Sequence, residues 1–232
     1  MRYFTFGTMD SRNYNTLVFE SKTFGTPTRN ITAVEVPGRN GSLLIDNGNY
    51  LNVDHAFDCI IPSEFKTNMA NLRSALLSQA AYARLEDSEH PDEFYLAVFK
   101  DAIEDVAVTQ NIDMGRFQIV FNRKPQRFLK SGETITDLQS NGSITNPTMF
   151  RAKPLLRVYG TGSFSVGSST MVISSASTYT DIDCDLMEAY KGTTSCNANI
   201  SGNFPTLAPG TNGVTLGSGI TRIMITPRWW RL

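Results

Sequence analysis

The sequence has little net charge and few cysteines. Its 21 lysines and arginines nearly balance its 22 aspartates and glutamates, so no global basic field attracts nucleic acid, and we expect no sequence-specific nucleic-acid partner. Cys59, Cys184 and Cys196 are odd in number and widely spaced, which argues against a disulfide framework and a zinc site. We expect free, buried or half-buried thiols, although Cys184 and Cys196 can pair if two strands bring them together.

A long apolar run is also lacking. No segment approaches the roughly 20 apolar residues of a membrane helix, and the first residues, Met1–Phe6, lack the apolar stretch of a signal peptide. We therefore expect a chain that folds in a cytoplasm and has no membrane partner.

Residues suited to catalysis are scarce. The two histidines, His55 and His90, lie in neither a nucleophile elbow nor a metalloprotease motif. We expect His90 in a solvated loop and His55 as a structural or surface residue. Gly160-Thr161-Gly162 lacks the third glycine of a dinucleotide fingerprint and is interpreted as a turn. The sequence thus predicts no catalytic residues, no cofactor and no enzyme.

Two acidic patterns do not form a recognisable site. Asp181, Asp183 and Asp185 resemble part of an EF-hand loop, but the sixth and twelfth positions hold Leu186 and Gly192. We therefore expect no metal site there, only a strand with an acidic solvent face. The carboxylates of residues 86–93 are interpreted as a solvated loop, because glycoside cleavage needs a cleft and fixed carboxylate separations.

Charge density divides the chain. Residues 1–130 hold 30 charged side chains and residues 131–232 hold 13, with Gly, Ser, Thr and Asn abundant in the second part. Prolines and glycines punctuate residues 125–147, which favours a boundary there. We predict one domain over residues 1–130 and another over residues 131–232.

The expected fold is mainly β. In the first domain, Phe65, Met69, Leu72 and Leu76 share one helical face, which predicts a helix from about Glu64 to Gln79 with Ser63 as N-cap. Period-two alternation predicts strands near residues 31–36, 94–99 and 117–122. The first domain is therefore α+β, with one helix on a mostly antiparallel sheet.

Only strand patterns occur in the second domain. Alternating runs lie near residues 156–159, 171–173, 181–186 and 222–226, with Gly, Ser and Asn turns between them. Short strands at such spacing predict a β-sandwich. In the terminal segment, Arg228, Trp229 and Trp230 form a hypothetical anchor, in which one indole fixes the chain end to the core and the other meets a neighbour.

Several short motifs occur in a fixed order along the chain. They lie at Val36–Gly41, Leu85–Ser88, Pro91–Tyr95, Phe121–Phe128, Asn146–Thr148, Lys153–Leu155, Phe204–Gly210 and Pro227–Trp229. In number and order they resemble the distal tail (Dit) family of phages with long, non-contractile tails. The resemblance covers nearly the whole chain.

The resemblance implies a structural role in the virion. It implies a homo-hexameric ring at the tip of the tail tube, assembled in the host cytoplasm, with outward-projecting, galectin-like C-terminal sandwiches. The ring would join the tail tube protein above to the tail-associated hub or fibre protein below, with receptor-binding proteins as possible peripheral partners. The chain has no room for long inserted carbohydrate-binding modules.

A closed ring needs a head-to-tail interface, for which an extended hairpin is suited. We predict such an arm over residues 31–52, with an ordinary intrachain hairpin as the alternative. The predicted interface residues are those of two turns: Val36, Pro37, Gly38, Arg39, Asn40 and Gly41 in the first, and Asn47 and Gly48 at the tip of the second. We expect Arg39 to pair with a carboxylate or a backbone carbonyl of the neighbouring subunit.

Two other functions stay open. The C-terminal sandwich is also compatible with a carbohydrate-binding module that recognises a host surface, and exposed aromatics on a sandwich face would favour it. An enzyme such as a glycosidase is the third hypothesis, and no acid–base pair supports it.

Overall fold

The computed structural model describes residues 2–21, 25–103, 108–109, 113–176 and 178–232. The chain divides into two compact units, residues 1–127 with Leu232 and residues 128–231. The change in charge density along the sequence predicted a division at 130/131. The described residues are mainly β with one α-helix, as predicted.

Ten strands and the helix belong to the first unit. They are β1 (Phe4–Phe6), β2 (Met9–Asp10), β3 (Leu17–Ser21), β4 (Arg29–Val34), β5 (Leu43–Tyr50), β6 (Val53–Ile61), α1 (Phe65–Leu77), β7 (Ala83–Asp87), β8 (Glu93–Val98), β9 (Val108–Thr109) and β10 (Met114–Arg123). A 3-10 helix covers Ser11–Tyr14.

The antiparallel sheet of the first unit closes on itself. Its order is β2-β1-β7-β8-β10-β6-β3, and β9 pairs with β10. Arg2, just before β1, forms a bridge with Val18 of β3, where the Val18 N–H donates to the Arg2 carbonyl at 3.2 Å. The β3 edge of the sheet therefore meets the segment that leads into β1, and the sheet closes into a small barrel rather than an open layer.

Alternation along the strands fills this barrel. Phe57, Cys59 and Ile61 of β6 and alternate residues of β10 point inward and are buried. The predicted helical face is confirmed, since Phe65, Met69, Leu72 and Leu76 are the buried residues of α1. Fully burying such a side chain contributes roughly 1.5–3 kcal/mol, so this face attaches the helix to the barrel.

The predicted helix cap is wrong. The N-cap residue is Glu64, whose backbone is left-handed with φ 52°. Ser63 lies one residue earlier, where its carbonyl and hydroxyl accept hydrogen bonds from the Asn15 side chain. The serine next to a proline was a plausible cap by type, but its hydroxyl is used by a contact from outside the helix.

Strands β4 and β5 form a separate two-stranded sheet, here called the arm (residues 29–50). Its tip is the loop of residues 35–42. Arg29 pairs with Tyr50 and Ile31 pairs with Asp46, so residues 47–49 bulge out opposite Asn30. The predicted second turn is therefore wrong, because Asn47 and Gly48 lie inside β5 and not at a tip.

The second unit is built from two antiparallel sheets. Strand β11 (Arg127–Leu129) spans the division. The strands that follow are β12 (Thr136–Leu138), β13 (Gly142–Asn146), β14 (Leu155–Gly160), β15 (Gly162–Val166), β16 (Ser169–Ile173), β17 (Tyr179–Asp183), β18 (Glu188–Lys191), β19 (Thr194–Ser195), β20 (Ile200–Gly202), β21 (Gly210–Leu216), β22 (Ile220–Thr226) and β23 (Trp230–Arg231). Short 3-10 helices cover Lys130–Glu133 and Asn197–Asn199.

One sheet has the order β12-β22-β14-β17-β18-β19 and the other β13-β21-β15-β16-β20. Both contribute to a single apolar core, which includes Leu156, Val158 and Ile223 from the first sheet and Phe164 and Val214 from the second. The glycines of Gly160-Thr161-Gly162 have φ of 98° and 136° and connect β14 to β15, which confirms the predicted turn.

Candidate assembly surface

Apolar side chains lie on both faces of the arm. Residues that pair directly across an antiparallel ladder share a face. One face therefore carries Val34, Leu43 and Ile45, and the other carries Ile31 and Leu44. Each of these five side chains is exposed, and Leu44 is the most exposed at 66%. Contiguous exposed apolar surface of this kind marks an interaction site.

The arm has no core of its own. The Asn30 side chain bridges the bulge, since its Nδ2 donates to Asn49 Oδ1 and its Oδ1 accepts from Asn47 Nδ2, both at 3.1 Å. Arg29 forms an ion pair of 3.1 Å with Asp46, with both side chains about half exposed. Such exposed pairs contribute little, about 0–1 kcal/mol, and a lone two-stranded hairpin is marginally stable in water. The arm therefore gains stability when another surface covers it.

The residues of the first predicted turn lie together in the loop at the arm tip. Val36, Pro37, Gly38, Arg39, Asn40 and Gly41 are all exposed. The Arg39 N–H donates to the Val36 carbonyl at 3.1 Å and closes the turn. Gly38 and Gly41 have φ of 78° and 80°, a backbone that favours glycine. Asn47 and Gly48 lie in the bulge of β5 instead.

Three of the five residues that give the arm its apolar faces were not singled out from the sequence. They are Leu43, Leu44 and Ile45, three consecutive apolar residues just after the loop of residues 35–42. Consecutive apolar residues in a strand point to alternate faces. The run itself was thus the signal for a ribbon that is apolar on both sides.

The C-terminal anchor residues contact the second unit. Arg228 donates from Nη1 and Nη2 to the two carboxylate oxygens of Asp183, each at 2.8 Å. Trp229 is buried in the core, and its carbonyl accepts from the Leu129 N–H at 2.9 Å. Trp230 stacks on Phe150 with 4.5 Å between ring centroids. These contacts attach the last strand to the sandwich.

The expected acidic solvent face of β17 is wrong. Asp181 and Asp183 are buried, and only Asp185 is exposed. Asp181 accepts two hydrogen bonds from Arg157 at 2.6 and 2.9 Å. Burial acts to raise the pKa of Asp183, but the hydrogen bonds from Arg228 and from backbone amides outweigh it and hold that pKa below its ordinary value. The carboxylates face outward and are covered by arginines.

The acidic run of residues 86–93 is not a solvated loop either. It spans the end of β7, a turn and the start of β8. Asp87 is buried and accepts from the backbone and Nδ1 of His90 at 2.8 and 3.1 Å, so His90 is half-buried and paired rather than solvated. Glu93 is buried against Arg127 at 2.7 Å. His55 is a core residue.

No group of three or more His, Cys, Asp or Glu side chains in the described residues is arranged to hold a metal ion. Cys59, Cys184 and Cys196 are free thiols, as expected, and burial raises the pKa of Cys184 to about 12. Across the described ranges, no helix has the length and apolar character needed to span a bilayer.

The outer sheet face of the second unit bears tyrosines beneath cations. The Arg157 guanidinium lies 4.3 Å from the Tyr179 ring centroid, and that of Arg222 lies 5.4 Å from the Tyr159 centroid. Arg222 also donates to Asp137 at 2.8 Å. Because cations cover these rings, stacking a sugar on the same ring faces requires their displacement.

Comparison with known proteins gives matches at the level of structure. No protein-family model matches the chain, and no curated protein matches it by sequence. Among solved structures, it is similar to the SPP1 Dit (gp 19.1) protein, described as a paradigm of the hub adsorption apparatus in phages that infect Gram-positive hosts. The TM-score is 0.74 at 12% identity, and 100% of each chain is covered.

The chain is also similar to a component of the phage p2 baseplate in its activated conformation with Sr. That match has a TM-score of 0.51 at 11% identity and covers 100% of this chain and 98% of that one. The resemblance expected from the ordered motifs is therefore confirmed at the level of the fold. Over its whole length, the chain has the fold of the SPP1 Dit protein.

Proposed function

We propose that the chain is a structural protein of a phage tail, in which copies close into a ring at the distal end of the tail tube. The observation that carries this proposal is the full-length match to the SPP1 Dit fold in a chain that also presents an exposed arm with two apolar faces. Its role is then mechanical rather than catalytic.

The arm suits a ring that repeats one contact. A head-to-tail interface uses two different surfaces of the same chain, and it closes when the rotation between neighbours divides a full turn. An arm that lies on the next copy buries its apolar residues in each repeat and leaves no unpaired arm in a closed ring. The neighbouring copy is therefore the occupant that we assign to the arm.

The resemblance supplies the remaining details of the proposal. We propose six copies per ring, with the tail tube protein on one side and a hub or fibre protein on the other. Receptor-binding proteins are candidate peripheral partners. The protein would assemble in the host cytoplasm and reside at the tail tip of the virion.

A charged substitution on the arm tests this proposal. Leu44→Glu places a carboxylate on an apolar face at a position that is mostly free of intrachain packing, because Leu44 is 66% exposed. Leu77→Glu is the matched control, since Leu77 of α1 is 69% exposed and lies outside the arm. In a phage carrying each variant, we expect Leu44→Glu to abolish intact tail tips and Leu77→Glu to preserve them.

The two readouts are electron microscopy of particles and plaque counts. Normal tails and full infectivity with Leu44→Glu would show that the arm is not an assembly surface. Loss of tails with both variants would remove the arm's special role.

A further inference from the structure

The arm joins the barrel through two short segments, here called the arm root (residues 25–28 and 51–52). The Leu51 N–H donates to the Thr28 carbonyl at 2.9 Å and holds the two segments together. On the entering side, Arg123 Nη2 donates to the Gly25 carbonyl at 3.1 Å. On the leaving side, Asn52 Nδ2 donates to Asn122 Oδ1 at 2.7 Å. Both sides of the root are thus held by the last two residues of β10.

Arg123 is a buried cation with few partners. It is 2% exposed. In the described part of the chain, its Nε and Nη1 have no hydrogen-bond partner and no carboxylate lies within ion-pair distance. Its guanidinium lies 4.6 Å from the Tyr95 ring centroid. Because burying an unpaired charge is unfavourable, this residue is sensitive to any further positive charge beside it.

His55 is such a neighbour. It lies on β6, three residues after Asn52 of the arm root, and is 1% exposed. Neither ring nitrogen has a hydrogen-bond partner among the described residues. The ring packs 4.5 Å from Phe57 and 5.5 Å from Tyr95 between centroids. Burial, reinforced by the charge of Arg123, lowers the pKa of His55 to about 4.

The other ionisable groups of this cluster are already engaged. Glu93 pairs with Arg127, and Asp87 accepts from His90 and from backbone amides. The charged or ionisable groups whose electrostatic effect changes the pKa of His55 are Arg123 on β10, Asp87 on β7, His90 in the following turn and Arg127. Tyr95 and Glu93 lie on the inward face of β8. The cluster holds two arginines, Arg123 and Arg127, and two carboxylates, Asp87 and Glu93. A proton on His55 adds a charge that no free carboxylate of this group offsets.

We propose that Arg123 and His55 form an acid-sensitive latch that fixes the arm root on the barrel while His55 is neutral and releases it when His55 is protonated. A second cation beside Arg123 favours its movement toward water, which breaks its hydrogen bond to Gly25. The benefit of a fixed arm rests on the proposed assembly function, but the latch is a property of one chain.

The direction of the pH effect follows from linkage. The folded barrel disfavours protonated His55, so the unfolded or opened state binds more protons between the ordinary pKa near 6.5 and the folded value of about 4. The latch is therefore fully closed above about pH 6.5. It weakens as the pH falls from there toward 4.

Hydrogen exchange of the single chain tests the latch. Amide protection, corrected for intrinsic exchange rates, is measured at pH 7.5 and 4.5 in peptides covering residues 25–30 and 50–55. The measurement is made on chains that carry Leu44→Glu. Ring formation then does not contribute to the protection of the arm root. We expect protection of the arm root to fall at least tenfold at pH 4.5, while residues 117–121 of β10 stay protected.

Three variants identify the residues responsible. His55→Phe keeps a ring among the aromatic neighbours and removes the titration, so we expect equal protection at both pH values. Arg123→Met should give low amide protection of the arm root at both pH values. Arg116→Met is the control, because Arg116 is an exposed cation on the same strand, and it should behave like the parent.

Unchanged root protection in the parent between pH 7.5 and 4.5 would overturn the proposal. The same acid loss in His55→Phe as in the parent would also overturn it. If Arg123→Met fails to fold, these two comparisons still decide the outcome. If the parent chain forms no ring in other experiments, the proposed function is contradicted. The latch is not contradicted by that result, because it is tested on the single chain.

Discussion

Arg228 and Asp183 form a two-point ion pair with both donor–acceptor distances at 2.8 Å. Asp183 ends β17, and Arg228 lies just after β22 in the left-handed region with φ 57°. The Arg228 N–H also donates to the Gly132 carbonyl at 2.8 Å. One residue thus connects the C-terminal segment to a sheet strand and to the first 3-10 helix of the second unit.

Removing one partner of this pair should destabilise the second unit. Arg228→Met leaves the buried Asp183 carboxylate without its counterion; because the Arg228 side chain is itself 32% exposed, we expect a cost of about 1.5–3 kcal/mol. Lys153→Met is the control, because its pair with Asp185 has both side chains more than half exposed and should contribute under about 1 kcal/mol. Urea unfolding measures both. Equal losses of unfolding free energy in the two variants would show that the Arg228–Asp183 pair contributes no more than an exposed ion pair.

The same pair predicts a loss of stability in acid. The pKa of Asp183 is held below its ordinary value near 3.8, so its contribution is present above that value and is lost as the pH falls through the folded pKa. We expect the difference in unfolding free energy between the parent and Asp183→Asn to shrink between pH 5 and pH 2. A difference that stays constant across this range contradicts the assignment.

Gly132 should tolerate no side chain. A Cβ at this position would lie 2.3 Å from the backbone nitrogen of Trp229, which cannot move without shifting the C-terminal segment. We expect Gly132→Ala to cost about 1–3 kcal/mol by overpacking. Gly213→Ala is the control, since no atom lies within 4 Å of its added Cβ. Thermal unfolding of the two variants should separate them, and similar melting temperatures would argue against tight packing at Gly132.

The arm should be dispensable for folding. Arg29 and Tyr50 pair across its base, so residues 30–49 can be replaced by a two-residue Asn-Gly turn. We expect the free energy of unfolding of the shortened chain to lie within about 1 kcal/mol of the parent's, because the arm lies outside the apolar core. Circular dichroism and urea unfolding measure this. A large loss of stability would mean that the arm serves the barrel itself.

Local periodicity predicted the elements that bury one face. The spacing of Phe65, Met69, Leu72 and Leu76 identified α1, because apolar residues at steps of three and four share one face in an α-helix but not in a strand. The alternation of residues 117–122 identified β10 for a similar reason. Closure of the barrel was not predictable, since the bridge from Arg2 to Val18 joins two short segments without a pairing signal.

The errors share a physical cause. Alternation assigned Asp181 and Asp183 to the outward face correctly, but it does not show that Arg157 and Arg228 cover them there. The Asn47-Gly48 pair suits a turn by residue type, yet Asn30 holds it as a bulge within β5. In each case a long-range side-chain contact decides the environment of a locally ambiguous residue.

Cryo-electron microscopy of purified tail tips would show whether copies of this chain form the proposed ring. We expect a closed ring at the end of the tail tube, with residues 29–50 of each copy lying on its neighbour. Tail tips without this chain, or a ring in which each arm contacts only its own barrel, would contradict the proposal.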